Sequence, residues 1–326
     1  MELVCPAGTP ASLRAALDAG ADVVYVGFRD ETNARNFPGL NFSPEELEEG
    51  VKKAHDMGRQ VYVAINTYPQ AGNLDPWYRA VDAAARIGVD AVILADVGLL
   101  DYAKRHHPSL RRHLSVQASA SNPEAINFYR SAFDVQRVVL PRVLTVREIA
   151  ELITEIDVET EVFAFGGMCV MAEGRCSLSS YATGKSPNMN GVCSPASHVE
   201  YEQRRGKLVS RLGEFTINSF PNEEAAGYPT LCKGRFIGHT GDPSYLFEEP
   251  TSLNVMMMLP ELIQAGVKAL KIEGRQRGKA YVHQVVSGYR HAIDAAMKGE
   301  PVPFMDMGNI TEGTRSTAGA YEKNWR

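Results

Sequence analysis

One unit recurs along the first half of the chain and limits the folds open to it. Each unit has an oxygen-bearing residue followed by proline, then a helical stretch, a glycine and a short apolar run. The four unit starts are Thr9-Pro10, Ser43-Pro44, Asp75-Pro76 and Asn122-Pro123. The side-chain oxygen can cap a helix while proline takes the first helical position, where its missing N–H costs nothing. The pattern predicts a helix at each start.

Two further signals mark helix boundaries. Ser43 with Glu46 and Thr145 with Glu148 fit the capping box, in which the glutamate reaches back to the amide of the capping residue. Four glycines follow helical stretches and suit the left-handed conformation that ends many helices. They are Gly20, Gly58, Gly88 and Gly266.

Eight apolar runs are predicted as strands. They are the opening ELVCPAG and residues 21–28, 59–66, 89–97, 114–121, 135–142, 160–167 and 267–275. Nearly continuous Val, Ile and Leu is typical of parallel strands that helices cover on both faces. Strands that alternate with helices indicate βαβ units. We therefore predict an α/β fold of the (β/α)8 TIM-barrel type. An open doubly wound sheet is disfavoured because the first turn reads CPAGTP and not G-x-G-x-x-G.

Composition and charge restrict the class of protein. The chain has 326 residues, 44% of them hydrophobic, and a formal net charge of −5. We expect one barrel-like domain over 1–326, with an insertion at 166–256 and a C-terminal tail at 299–326. The acidic balance makes nucleic acid an unlikely partner, although a local basic patch stays open. The chain start lacks a basic and then apolar leader, and no apolar run approaches about 18 residues, so we expect a cytoplasmic protein without a membrane span.

The cysteines are concentrated in the insertion. Cys169, Cys176, Cys193 and Cys232 read C-x6-C-x16-C-x38-C, whereas Cys5 stands alone in the first strand. An insertion at this position would lie at the carboxyl ends of the barrel strands, where active sites are built. Structural zinc normally uses close C-x2-4-C pairs, and widely spaced loop ligands suit a [4Fe–4S] cluster better. Unrelated thiols and zinc stay as alternatives.

Glycines surround these cysteines. Gly166, Gly167, Gly174 and Gly191 would allow the backbone to approach the sulfurs closely. Other motifs fail: ATGKS resembles the end of a phosphate-binding loop, but Ser179 stands where the first glycine is required. The sequence contains neither H-E-x-x-H nor G-x-S-x-G, so no motif supports a zinc protease or a serine hydrolase.

Polar residues at the carboxyl ends of the predicted strands are candidates for binding a substrate. Burying them costs free energy unless they are paired or bind something. They are Asn66, Asp96, Gln117, Arg142, Glu273 and Arg275. Arg142 and Arg275 are the most suggestive, because a guanidinium can bind a carboxylate through two hydrogen bonds. A purely structural hydrogen bond or ion pair is the alternative for each.

Three long stretches resemble one known family, the collagenase-like proteins once filed as peptidases of unassigned mechanism. They are ELVCPAGTPASLRAALDAGADVVYVG, EVFAFGGMCVMAEGRCSLSSY and ALKIEGRQRGKAYVHQVVSGYR, and the resemblance covers nearly the whole chain. The four cysteines ending in an isolated LCKGR, in a chain without an added C-terminal domain, are similar to the UbiU branch of that family. That branch serves ubiquinone biosynthesis without O2.

The resemblance implies a [4Fe–4S] cluster on Cys169, Cys176, Cys193 and Cys232. It also implies a heterodimer with a UbiV-like sister protein and hydroxylation of a prenylated aromatic ubiquinone precursor, with prephenate as the oxygen donor. Two other functions stay open: a prephenate-dependent RNA base hydroxylase, as in sister branches, and a non-catalytic metal-binding scaffold for a partner. Despite the historical name, no residue pattern supplies a peptidase nucleophile.

Overall fold

The computed structural model describes residues 1–169, 176–221, 223–224, 226–239, 241–305 and 307–322. Within these residues the predicted barrel is present. Its eight strands are β1 (Glu2–Pro6), β2 (Val23–Val26), β3 (Gln60–Ile65), β4 (Ala91–Leu94), β5 (Arg111–Leu114), β6 (Arg137–Val139), β7 (Glu159–Gly167) and β14 (Ala269–Ile272). Neighbouring strands are parallel, and β14 pairs with both β1 and β7, which closes the sheet. The (β/α)8 prediction is confirmed.

Helices connect the strands and cover the outside of the barrel. They are α1 (Pro10–Asp18), α2 (Pro44–Asp56), α3 (Asp75–Ile87), α4 (Val97–His106), α5 (Pro123–Phe133), α6 (Val146–Ile153), α8 (Leu259–Gln264) and α9 (Lys279–Met297). Helix α7 (Ser177–Thr183) lies in the segment between β7 and β14 and packs on the small apolar cluster of that segment. In the part of the chain that the structure describes, no helix combines the length and apolarity needed to cross a membrane.

Helix caps follow the sequence signals with one exception. The side chains of Thr9, Ser43, Asn122 and Thr145 each accept a hydrogen bond from a backbone N–H in the first turn. The prediction that Asp75 caps its helix is wrong, because Asp75 is itself the first helical residue and Leu74 precedes it without a side-chain cap. The neighbouring Pro76 then occupies the second helical position, which also needs no N–H partner.

The predicted fifth strand, 114–121, is misplaced. The strand is Arg111–Leu114, and a 3-10 turn follows at Val116–Ala118. The strand was not predicted because its sequence, RRHL, is polar. Arg112 of this strand is nevertheless almost fully buried. Its guanidinium donates to the carbonyls of Phe133 and Leu110 and to Asp134, so the buried charge is satisfied.

Two apolar cores stabilise the barrel. The larger fills the space between strands and helices and includes Leu3, Trp77 and Val285. The smaller lies inside the barrel and includes Val4, Tyr62 and Ile93. Alternate residues of one strand reach different cores, as the pleat requires: Leu3 points outward and Val4 inward.

The segment between β7 and β14 carries its own small sheets. Strands β8 (Val199–Arg204), β9 (Lys207–Leu212) and β10 (Phe215–Phe220) form an antiparallel sheet, and β11 (Arg235–Ile237) pairs with β12 (Pro243–Tyr245). Residues 199–214, which are rich in charged side chains, thus form mainly the β8–β9 hairpin. Strand β13 (Ser252–Asn254) pairs antiparallel with the end of β7, and β15 (Ser316–Thr317) pairs with β13. The C-terminal segment is thereby attached to the carboxyl end of the barrel.

Candidate functional site

The carboxyl ends of the barrel strands surround an opening, the barrel mouth, that gathers residues from distant parts of the chain. Asn66 follows β3, Arg142 follows β6, and Glu273 and Arg275 follow β14. The loop after β2 adds Asn33 and Arg35, which sequence reasoning missed. The candidates therefore meet around one opening, except that Asp96 has a structural role: its Oδ1 caps α4 by accepting from the N–H of Leu99 over 3.0 Å.

Glu273 joins two arginines at the centre of the mouth. Its Oε1 accepts a hydrogen bond from Arg35, and its Oε2 accepts one from Nη2 of Arg142 over 2.6 Å. Burial by itself raises the pKa of Glu273, but the charges of Arg35 and Arg142 outweigh it and hold the pKa at about 2. Glu273 is therefore ionised at neutral pH and already occupies a position where the sequence predicted an external carboxylate beside Arg142.

Arg275 forms the second polar group of the mouth. It is 4% exposed, and its Nη1 donates to Oδ1 of Asn33 over 3.1 Å. Its guanidinium carbon lies 5.6 Å from the centroid of the Tyr25 ring. Burial lowers the pKa of Arg275 to about 10, so it stays charged at neutral pH. Arg35, Arg142 and Arg275 surround Glu273, so the positive charges of this group outnumber its one carboxylate, which favours an anionic ligand.

The two amide candidates differ in availability. Asn66 is used within the protein: its Nδ2 donates to Oγ of Ser115 over 3.1 Å, and its Oδ1 accepts from the N–H of Ala34 over 3.0 Å. The side-chain oxygen of Gln117 is buried and accepts no hydrogen bond from the described residues. Of the two candidates, Gln117 is thus the one whose side-chain oxygen has no partner among the described residues.

Four thiols lie on the same side of the barrel. Cys169 is exposed, Cys176, Cys193 and Cys232 are partly buried, and none forms a disulfide within the described residues. Electrostatic interactions link Cys193 to Cys176 and Cys232, and Cys232 to Cys169. Burial raises the pKa of the Cys232 thiol to about 11 and also raises the pKa of Cys193, on which the charge of Arg35 has the opposite effect.

Thiolates bind two kinds of metal centre, and the two differ in the geometry that they need. A single zinc ion needs four ligands at about 2.0–2.3 Å from one point. Among the residues that the structure covers, no group of three or more His, Cys, Asp or Glu side chains is arranged to hold a metal ion. A [4Fe–4S] cluster is larger and takes four thiolates, the number of thiols that the insertion supplies. Cys5 does not belong to this set, since it is fully buried in β1 with its thiol directed to the carbonyl of Leu3.

The loop that carries Cys193 is docked on the barrel by its backbone. The N–H of Asn36 donates to the carbonyl of Gly191 over 3.1 Å, and the N–H of Tyr68 donates to the carbonyl of Asn188 over 2.7 Å. Gly191 has φ +77°, and a Cβ there would lie 2.3 Å from the carbonyl oxygen of Asn33. Only glycine allows this approach.

Gly166 and Gly167 were expected to lie close to the cysteine sulfurs, but acidic side chains are their nearest neighbours. A Cβ at Gly166 would lie 2.5 Å from Cβ of Glu273, and one at Gly167 would lie 2.8 Å from Oε1 of Glu312. These glycines make room for acidic side chains of the mouth. Gly174 and the rest of 170–175, inside the central cysteine signature, lie outside the described residues.

Glu312 of the C-terminal segment connects that segment to the cysteine-bearing insertion. It accepts hydrogen bonds from Lys233, next to Cys232, and from Nη2 of Arg277 over 3.1 Å. Its own N–H donates to Oγ of Ser252 over 2.8 Å. Neither Glu312 nor Arg35 directly follows an apolar run, which is why the rule of polar residues at strand ends did not find them.

Comparison with known proteins gives a consistent family. The model described as Peptidase family U32 matches residues 8–319. The chain is 33% identical to tRNA hydroxylation protein P of Escherichia coli, over 92% of this chain and 69% of that protein. It is 31% identical to a collagenase of Porphyromonas gingivalis, over 91% of this chain and 66% of that protein. It is also 29% identical to the 23S rRNA 5-hydroxycytidine C2501 synthase of Escherichia coli, over 91% of this chain and 40% of that protein.

Proposed function

Since the chain belongs to peptidase family U32, we propose that it is an iron–sulfur protein that hydroxylates an aromatic substrate without O2. Two relatives carry names of RNA hydroxylation proteins, which supports hydroxylation as the reaction class. The observation that carries the proposal is the docking of the Cys193 loop against Asn33 and Asn36, which brings a thiol beside the basic barrel mouth. A peptidase function is not proposed.

The proposed cofactor is a [4Fe–4S] cluster on Cys169, Cys176, Cys193 and Cys232. When bound, it would supply one-electron redox chemistry beside the mouth. The side chains of the protein would bind and orient the oxygen donor. The net positive charge of Arg35, Arg142 and Arg275 around Glu273 suits a dicarboxylate, and prephenate is the proposed donor.

The proposed substrate is a prenylated aromatic precursor of ubiquinone. The chain would hydroxylate it as a heterodimer with a UbiV-like sister protein. The resemblance of the LCKGR cysteine segment to the ubiquinone branch supports this choice. Large apolar side chains stand exposed in the segment that follows Cys232, and such surface is suited to a prenyl chain or a partner. They are Ile237, Leu246 and Phe247, which are 73%, 58% and 49% exposed.

Metal analysis tests the cofactor first. Protein purified without air should contain about four irons and four acid-labile sulfides per chain, with an absorption band near roughly 400 nm that bleaches in air. Cys176→Ala should lose both iron and band, whereas Cys5→Ala should keep them because Cys5 is buried away from the other thiols. Stoichiometric zinc in the wild type, or no metal, would overturn the proposal.

Isotope transfer tests the reaction. The protein and the UbiV-like partner are incubated without O2 with a prenylated phenol and prephenate labelled with heavy oxygen in its hydroxyl group. The expected product is the ring-hydroxylated phenol carrying the heavy isotope, seen by mass spectrometry. The ring is oxidised by two electrons, and prephenate loses its hydroxyl oxygen and is reduced by the same two electrons. A stable complex that binds iron and partner but gives no product under these conditions would favour the scaffold function.

A second candidate, RNA base hydroxylation, is favoured by one surface feature. The tip of the β8–β9 hairpin carries Arg204, Arg205 and Lys207, all exposed, beside a cavity of about 620 Å³. Lysine and arginine at a protruding tip suit a phosphate backbone, and such binding weakens steeply with salt.

A double substitution tests this candidate. If RNA is the substrate, Arg205→Gln with Lys207→Gln should lower affinity for tRNA and flatten its salt dependence, because two phosphate contacts are lost. Lys52→Gln with Lys53→Gln removes the same charge from exposed positions of α2 and serves as the control. Equal, weak binding by all three proteins would leave the quinone precursor as the substrate class.

A further inference from the structure

Arg35 stands between the barrel mouth and the Cys193 loop. Its guanidinium donates to Glu273 and, through Nη1, to the carbonyl of Ala34 over 2.9 Å. Its backbone N–H donates to Oδ1 of Asn33, the atom that also binds Arg275. The side chain is 30% exposed, so water only partly screens its charge. Arg35 is thus held in place by contacts from three directions.

The backbone next to Arg35 fixes the distance to the thiols. Asn36, the following residue, donates to the carbonyl of Gly191, two residues before Cys193. Gly191 also packs closely against the backbone of Asn33, so the two loops are in contact at a second point. If the Arg35 loop moves, the Cys193 loop must therefore move with it.

The charges of this pair act on Cys193 with opposite signs. Arg35 carries a positive charge and Glu273 a negative one, and the Arg35 loop is hydrogen-bonded to the Cys193 loop, so the two charges oppose each other at a group held by Cys193. The two groups are joined to each other by a hydrogen bond. Arg142 binds the other oxygen of the same carboxylate, and it provides a comparison within the same ion-pair network.

We propose that the Arg35–Glu273 ion pair sets the reduction potential of the cluster held by Cys193. This inference rests on the proposed cluster. Reduction would add one electron, and so one negative charge, to the proposed cluster, with no bond formed or broken. A positive charge nearby stabilises the reduced state and raises the potential, and a negative charge lowers it. Arg35 and Glu273 are therefore positioning residues with opposite effects on one quantity.

The test measures the midpoint potential of anaerobically purified protein in a spectroelectrochemical titration, with the electrode as electron source. Arg35→Gln should shift the potential to more negative values, because a positive charge is lost and Glu273 is left less compensated. Glu273→Gln should shift it to more positive values. Arg35→Lys, which keeps the charge, should stay near the wild type. Arg142→Gln should shift it in the same direction as Arg35→Gln but by less.

The sign of the shifts separates this inference from a structural role. Loss of packing alone would move Arg35→Gln and Glu273→Gln in the same direction, and that result, or no shift in either, would overturn the inference. If Arg35→Gln does not retain iron, the comparison of Glu273→Gln with Arg35→Lys and the wild type decides. A wild type without any iron–sulfur cluster would instead defeat the proposed function, so the two failures are distinguishable.

Discussion

Lys271 and Glu161 form an ion pair inside the barrel, with Nζ of Lys271 2.6 Å from Oε1 of Glu161. The side chain of Glu161 is fully buried and that of Lys271 is 7% exposed. Arg137 approaches the other oxygen of Glu161 at 3.4 Å, and the centroid of the Tyr25 ring lies 3.9 Å from the Lys271 ammonium. Buried charges thus continue from the middle of the barrel up to Tyr25, which also contacts Arg275 at the mouth.

The first prediction concerns this buried pair. Lys271→Met should destabilise the protein by about 3 kcal/mol, because removing one partner leaves a buried carboxylate with less compensation. Chemical unfolding of the apo protein measures the loss. Lys271→Met combined with Glu161→Gln should recover part of it, since no uncompensated carboxylate then remains. If the double variant lost more free energy of unfolding than the two single variants lose when added together, this account would be contradicted.

The second prediction concerns pH and the opposite end of the barrel. Burial alone would raise the pKa of Glu159, but the charges and hydrogen bonds of Arg137 and Arg111 outweigh it and lower the pKa. A carboxylate with a lowered pKa in the folded state stabilises the protein above its unfolded pKa, about 4.3, and loses that effect as the pH falls through the folded value.

Glu159→Gln should therefore lower the melting temperature at pH 7, and the difference from the wild type should narrow as the pH falls below about 4. Differential scanning calorimetry at several pH values measures it. Glu48→Gln, at an exposed position of α2, is the control and should show little difference at either pH. A difference between Glu159→Gln and the wild type that widens in acid would mean that the carboxylate does not stabilise the folded state.

The third prediction separates backbone strain from loss of docking. Gly191→Ala would place its Cβ 2.3 Å from the carbonyl oxygen of Asn33, so the Cys193 loop must move away from the barrel. Iron content of the purified protein should fall by at least half. Gly184 has a similar φ of +69°, but a Cβ there would meet no atom within 4 Å, so Gly184→Ala carries the strain without the clash. Equal iron content in the two variants would show that the docking contact is dispensable.

The fourth prediction concerns the anion at the mouth. Arg275→Gln should weaken binding of prephenate by about tenfold or more, since a hydrogen bond to a charged group contributes about 1.5–3 kcal/mol. Isothermal titration calorimetry on the apo protein measures the affinity. Arg59→Gln removes an arginine paired with Asp22 away from the mouth and should bind like the wild type. Unchanged affinity in Arg275→Gln would remove Arg275 from the ligand site.

The barrel was predictable because its signals are local. Each cap, proline and glycine acts within one turn, and Ser43 with Glu46 and Thr145 with Glu148 form the capping boxes that their spacing indicates. The fifth strand failed because its partners are distant: Arg112 resembles a surface residue until Phe133 and Asp134 are placed beside it. Local pattern therefore located the seven apolar strands and misplaced the polar one.

The site was predictable only in its individual residues. Arg142, Glu273 and Arg275 were found because polar residues follow apolar strands, and all three lie at the mouth. Their pairing was not predictable, because Arg35 and Glu273 are 238 positions apart in the chain. Arg142, which was expected to bind an external carboxylate, is instead paired with Glu273, a relationship that depends on closure of the barrel.

That closure has a consequence for the timing of assembly during synthesis. Strand β14 is the last of the eight to leave the ribosome, and it pairs with both β1 and β7. Until it docks, Arg35 and Arg142 lack Glu273, although the chain has already exposed its four thiols. In a nascent chain the four cysteines are thus synthesised before β14 completes the barrel mouth beside them. Metal delivered at that stage would reach thiols whose binding site has not yet folded. Delivery of the proposed cluster would therefore be better placed after translation has passed Glu273.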